Sequence, residues 1–101
     1  MIATIFRSRL RPEYMQEYAG LAEKILELAK TMPGFVSFKS YEAKDGERVS
    51  IVEFADWETH NVWKDQSSHQ MAQKLGREKF YAWFRIQVCV QEKNMEWKFS
   101  E

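Results

Sequence analysis

The stretch FVSFKSYEAKDGERVSIVEFA, residues 35–55, decides the fold. Apolar and polar side chains alternate along residues 35–43 and again along 48–55, as in half-buried β-strands. Between the two runs stands Asp45 followed by Gly46, a pair typical of tight β-hairpins. The stretch therefore predicts two neighbouring antiparallel strands.

The chain before this hairpin predicts a strand and then a helix. Residues 2–10 alternate and are rich in β-branched and aromatic side chains, which favours a strand. Pro12 stands at a favoured first-turn position, and apolar residues follow at helical spacing up to about Thr31. Pro33 and Gly34 then end the helix, because proline cannot continue the hydrogen-bond ladder.

The chain after the hairpin predicts a second helix and a last strand. Asp56 is a favourable cap for one continuous helix that runs until Gly76 interrupts it. Residues 80–91 contain a strongly alternating strand. The tail, residues 92–101, has apolar side chains at period two and predicts a short extra strand at a dimer interface. These side chains are Met95, Trp97 and Phe99.

The order β-α-β-β-α-β predicts one α+β domain, residues 1–101, of the ferredoxin-like type. Two helices cover one face of a four-stranded antiparallel sheet in this arrangement. Large apolar groups occur on both sides of the predicted strands, so we expect a second sheet to pack on the face without helices. The sequence thus predicts a homodimer.

The composition narrows the classes of partner and compartment. Fifteen Lys and Arg balance fifteen Asp and Glu, so the long-range attraction on which nucleic-acid binding relies is missing. We expect no nucleic-acid partner. The first residues contain no apolar run long enough for a signal peptide or a membrane span. Cys89 is the single cysteine, and its valine neighbours predict a buried, inert thiol in a cytoplasmic protein.

Six segments, in this order and spacing, resemble the antibiotic biosynthesis monooxygenase (ABM) superfamily. They are MPGFVSF (32–38), DGERVS (45–50), FADWE (54–58), VWK (62–64), SHQMAQ (68–73) and GREKFY (76–81). The resemblance implies a dimeric α+β barrel with a pocket between each sheet and its own helices. It leaves the reaction open, because the superfamily contains cofactor-free oxygenases of quinols and anthrones, haem-degrading enzymes and members of no known activity.

His69 is the candidate catalytic base. Histidine ordinarily titrates near neutral pH, and the resemblance implies a histidine at this position in ABM-type sequences of this kind. The alternative is that His69 only forms local hydrogen bonds in a polar helix. His60 lies near the start of the same predicted helix, where we expect it to be exposed.

Haem degradation is the less favoured reaction. Trp63 matches the tryptophan beside the porphyrin in the haem-degrading members that the sequence resembles. Gln73, a poor iron ligand, stands where those members have their haem-ligating histidine, and Ser8 replaces their first-strand asparagine. The resemblance therefore predicts no tightly bound haem.

A cofactor-free oxygenase needs an apolar pocket, a base and a few polar contacts. The candidate substrate-binding residues are Trp63, Trp83, Tyr81, Phe6, Ser8, Gln66 and Gln73, with Arg7 and Tyr41 as further polar contacts. The sequence has no phosphate loop, no metal-ligand spacing and no dinucleotide motif, so we predict neither a cofactor nor a metal. The leading hypothesis is oxidation of a small aromatic substrate. The rival is a non-catalytic ligand-binding or stress-associated dimer.

Overall fold

The computed structural model describes residues 1–100 and has the predicted α+β ferredoxin-like fold. The strands are β1 (Ile2–Leu10), β2 (Phe35–Glu42), β3 (Arg48–Phe54) and β4 (Tyr81–Val90). They form one antiparallel sheet in the order β2-β3-β1-β4. The helices are α1 (Met15–Lys30), α2 (Trp57–Asp65) and α3 (Ser67–Leu75). The hairpin between β2 and β3 turns at Gly46, whose φ of 92° suits glycine.

The prediction of one continuous second helix was wrong, since α2 and α3 are separate. Asp56 caps α2 as predicted, its carboxylate accepting a hydrogen bond from the backbone N–H of Thr59 at 2.9 Å. Gln66 has an extended backbone (ψ 129°), and its side-chain oxygen accepts from the backbone N–H of His69 at 2.9 Å. The break occurs because this side chain caps the start of α3. A π-helical turn, Gly76–Phe80, then leads into β4.

Strand register assigns each side chain to one of two sheet faces. Phe6 pairs with Ser50 on β3 and with Ile86 on β4, so these side chains share the face toward the helices. The next residue back, Ile5, pairs with Ile51, and both lie on the opposite face, which we call the far face. No helix of residues 1–100 packs there.

The core lies at one side of the helix-covered face. Val52 and Phe54 of β3 are buried with Ala29 of α1 and Trp63 of α2, and the rings of Phe54 and Trp63 stack with centroids 6.0 Å apart. These contacts fix α2 over the β3 side of the sheet. Trp63 is thereby held at the edge of the core, where the helical cover begins to thin.

The β4 side of the sheet is open. The helix-facing residues of this edge strand, Phe84, Ile86, Val88 and Val90, are all exposed. Cys89 is exposed as well, which corrects the expectation of a buried thiol: it lies on the far face of an edge strand, where nothing in residues 1–100 covers it. Residues 91–100 form neither helix nor strand within this one chain, so the extra strand at a dimer interface stays a prediction.

Every helix within residues 1–100 is too short or too polar to cross the apolar interior of a bilayer.

Candidate functional site

A cavity of about 700 Å³ lies between the sheet and the helices. Most of its wall is apolar, and part of it is formed by β4, whose helix-facing side chains are exposed. Its volume is in the range of pockets that hold drug-sized ligands. The aromatic and aliphatic wall includes Phe6, Phe38, Trp63, Phe84, Ile86 and Val88.

His69 lines this cavity and makes two contacts with Trp63. Its ring stacks on the indole of Trp63, with centroids 4.0 Å apart and an angle of 14° between the planes. Its Nδ1 lies 3.1 Å from the carbonyl oxygen of Trp63. A carbonyl oxygen only accepts, so Nδ1 carries the hydrogen and Nε2 is the acceptor of the neutral ring.

The surroundings of His69 favour this neutral form. Burial lowers the pKa of the imidazole below its ordinary value of 6.5, partly offset by the hydrogen bond to Trp63, and nearby His60 lowers it further. Near pH 7 the ring is therefore a neutral base with one free lone pair. The break at Gln66 has a part in this, because the start of α3 places the His69 ring against Trp63 on α2.

His60 is not where we expected it. It is only 6% exposed and lines the same cavity as His69. It lies three residues before Trp63, so both side chains face the sheet on one side of α2. Its ring packs edge-on against Trp57, with centroids 5.5 Å apart, and its Nδ1 is 3.1 Å from Oδ1 of Asn61.

The cavity brings together five of the predicted site residues. These are His69, Trp63, Tyr81, Phe6 and Gln73. Phe6 contacts the ring of Tyr81 edge-on, with centroids 5.2 Å apart, so strands β1 and β4 contribute adjoining parts of the wall.

The other predicted contacts lie outside the cavity lining. Trp83 pairs with Arg9 and thus lies on the far face. Arg7 is also on the far face, where its Nε donates to Glu47 at 2.9 Å. Gln66 caps α3, and Ser8 is buried without reaching the cavity. Tyr41, on the exposed side of β2, is not a lining residue either.

Sequence reasoning missed three polar groups of the cavity wall. Tyr18, Arg48 and His60 all line it. Tyr18 is one of the residues at helical spacing after Pro12, and this spacing put it on the helix side that faces the sheet. Arg48 occupies an inward position of β3, as its pairing with Ser8 shows, and the alternation of residues 48–54 contained that signal.

Tyr81 is a half-buried phenol in the cavity wall. Burial raises the pKa of its hydroxyl well above the ordinary value of 10.0, and nearby Tyr18 raises it further, while Arg48 acts in the opposite direction. Tyr81 therefore stays protonated, and its hydroxyl is hydrogen-bonded to Tyr18. Among residues 1–100, no three His, Cys, Asp or Glu side chains are grouped closely enough to hold a metal ion.

Comparison with known families defines the class of protein. The family model for antibiotic biosynthesis monooxygenase matches residues 1–75. Since this is most of the chain, the protein belongs to the antibiotic biosynthesis monooxygenase family.

Individual relatives extend the comparison over the remainder of the fold. The uncharacterized protein YqjZ of Bacillus subtilis (strain 168) is 29% identical over 87 residues, which are 86% of this chain and 75% of that protein. A solved structure from Deinococcus radiodurans has a TM-score of 0.86 at 9% identity, covering 98% of this chain and 100% of that one. SnoaB, a cofactor-independent oxygenase from Streptomyces nogalater, has a TM-score of 0.78 at 13% identity, covering 93% and 95%. At these identities the two structures show a shared fold.

Proposed function

We propose that this protein is an oxygenase that uses dioxygen on a small aromatic quinol- or anthrone-like substrate, without a metal or tightly bound cofactor. The observation that carries the proposal is the state of His69 in the cavity. Its Nδ1–H is committed to the carbonyl of Trp63, which leaves Nε2 as a neutral base beside an apolar wall. The similarity of fold to a cofactor-independent oxygenase supports the same reaction class.

The chemistry requires only a base and a dry pocket. Nε2 of His69 takes a proton from the substrate, and the apolar wall keeps the resulting anion electron-rich. The anion passes one electron to dioxygen, and the radical pair combines to a hydroperoxide. Loss of water then leaves a carbonyl where an anthrone had its CH₂ group. One oxygen atom enters the product and the other leaves as water, so no external reductant is needed.

Aerobic oxygen uptake with a panel of hydroquinones and anthrones tests this reaction. We expect His69→Gln to reduce kcat/KM at least ~10²-fold, as removal of a general base typically does. His60→Gln is the matched control, because it removes a second imidazole from the same cavity. It should change the rate much less, since in our proposal His60 does not take the proton. Equal rates for wild type and His69→Gln on an active substrate would remove His69 from the mechanism.

A non-catalytic ligand binder is the second candidate. The observation in its favour is that most of the cavity wall is plain apolar surface, which suits binding without turnover. Tight binding of aromatic ligands with no oxygen uptake across the whole panel would support it over the oxygenase.

Haem degradation has less support. Gln73 lines the cavity at the position where the resembling haem enzymes have their iron ligand, and an amide is a poor substitute for imidazole. A hemin titration should give no sharp Soret band at one equivalent.

We further propose that the protein works as a cytoplasmic homodimer. The far face carries Ile5, Val49 and Ile51 side by side on the two central strands, and no helix covers them within residues 1–100. Packing of two such faces would bury these groups. Light scattering at micromolar concentration should show a dimer.

A further inference from the structure

Arg48 differs from the other arginines near it. On β1 and just after it, Arg7, Arg9 and Arg11 each form an ion pair, with Glu47, Asp45 and Glu13 respectively. Arg48 is half-buried at the cavity wall and forms no ion pair with any carboxylate of residues 1–100. Even Glu42, its direct neighbour across the hairpin, is not paired with it. A partly desolvated guanidinium without a counter-ion is costly unless a ligand supplies one.

The groups around Arg48 are suited to an anion. Its guanidinium lies over the ring of Tyr18, 5.8 Å from the centroid, which holds the side chain at the wall. The hydroxyl of Tyr81, which is hydrogen-bonded to Tyr18, lies in the same part of the cavity. Ser40 and Ser50, on the two strands of the hairpin, add hydroxyls to this wall.

The charged residues around the cavity also favour an anionic ligand. Three cationic side chains line it, Arg48, Lys64 and Arg77, against one carboxylate, Glu23. The whole chain has a net charge of zero. Positive charge is therefore concentrated at the cavity, and a local excess of this kind attracts anionic ligands.

We propose that the substrate is an aromatic carboxylate, whose carboxylate binds Arg48 while its phenolic end lies at His69. This deepens the proposed function and rests on it for the role of His69. A carboxylate matches the planar guanidinium in a two-point hydrogen bond, and a single negative charge costs less to desolvate in an apolar cavity than a phosphate dianion.

The two ends of the cavity are far enough apart to orient such a molecule. Trp63, against which His69 stacks, contacts Phe54 at the end of β3, whereas Arg48 is six residues earlier at the start of that strand. At about 3.3 Å per residue the two strand positions are separated by roughly 20 Å of backbone, and long side chains reach inward from both. A fused-ring substrate with its hydroxyl and carboxylate at opposite ends fits this arrangement.

Anaerobic binding separates this proposal from the oxygenase reaction. The probe is a hydroxynaphthoate whose hydroxyl and carboxylate lie at opposite ends of the rings, and the control ligand is its methyl ester. Calorimetric titration of the wild-type protein should show roughly 10–100-fold tighter binding of the acid, as expected for a charge-assisted hydrogen bond. Equal affinity for acid and ester would overturn the proposal.

Variants assign the preference to one side chain. Arg48→Gln should abolish the preference for the acid. Arg48→Lys should keep part of it, because lysine retains the positive charge but cannot form the two parallel hydrogen bonds of a guanidinium. Lys24→Gln, an exposed residue of α1 outside the cavity lining, makes the same change in net charge and should have no effect. A preference that survives in Arg48→Gln would overturn the role of Arg48. Preferential binding of the acid without oxygen uptake would support the carboxylate-binding role of Arg48. It would count only against the proposed oxygenase reaction.

Discussion

The β3 side and the β4 side of the sheet differ in how well the helices of the same chain cover them. On the β3 side, Phe54 is 1% exposed beneath α1 and α2, while on the β4 side Phe84 is 37% exposed. Both are phenylalanines that point toward the helices. The cavity lies where the packed side meets the open side, because its wall includes buried Trp63 as well as exposed Phe84 and Ile86. Such a boundary holds His69, the proposed base, in a fixed position beside exposed strand residues.

Replacing the two phenylalanines tests this contrast most strongly. Phe54→Ala should lower the free energy of unfolding by about 3–5 kcal/mol, because it leaves a cavity in the packed core. Phe84→Ala should cost less than about 1.5 kcal/mol, since the side chain is already partly in water. Urea unfolding followed by circular dichroism measures both. Similar losses would mean that the β4 side is covered in solution, by a second copy or by the tail.

A charge on the far face tests whether a second copy completes the sheet. Ile51→Glu places a carboxylate at the centre of the proposed dimer contact, and burying it unpaired should weaken the dimer at least ~10²-fold. Light scattering should then detect monomers at micromolar concentration. The control is Val62→Glu, a change at an exposed position on the outside of α2, which should remain dimeric. A dimer that survives Ile51→Glu would have its contact elsewhere.

The pH dependence of turnover examines the packed end of the cavity. Burial lowers the pKa of His69, so the acid limb of kcat/KM should fall below pH 6.5 and be absent in His69→Gln. The same shift affects stability. A histidine whose folded pKa is depressed stabilises the fold above its unfolded value and loses that contribution as the pH falls through the folded pKa. Wild type should therefore lose stability below pH 6.5 relative to His69→Gln, whereas an acid limb above pH 6.5 would contradict the burial of His69.

The smallest expected effect is optical. Trp63 lines the cavity and Trp83 lies on the far face. Binding of an aromatic ligand should quench less tryptophan fluorescence in Trp63→Phe than in wild type, while Trp83→Phe should keep the ligand response. The reverse pattern would locate the ligand on the far face.

The sequence predicted the strands well because their signals are local. Alternation and the Asp45-Gly46 turn depend only on neighbours along the chain, and all four strands lie where these signals indicate. The sequence also indicated which side chains of β4 lie on each face of the sheet. Trp83 and Phe84 are consecutive strand residues, so their side chains lie on opposite faces of the sheet. The far-face position of Trp83 could therefore have been predicted, instead of a place in the cavity wall.

Other features depend on contacts between distant residues and were not readable. Gln66 is an ordinary helix residue by propensity, and its capping role follows from how α3 turns back toward Trp63. His60 was expected to be exposed because it is near a helix start, but its burial depends on α2 packing over β3. The missing counter-ion of Arg48 is visible only once every nearby carboxylate has been placed.

The most direct measurement of the role of His69 is the rate at which the protein removes a proton from a bound anthrone without oxygen. In anaerobic D₂O near pH 7, wild-type protein should speed the exchange of the anthrone CH₂ hydrogens for deuterium, followed by NMR, because Nε2 of His69 removes one of them. His69→Gln should slow this exchange at least ~10²-fold. If wild-type protein leaves the exchange at its uncatalysed rate, or if His69→Gln catalyses it equally well, His69 is not the base.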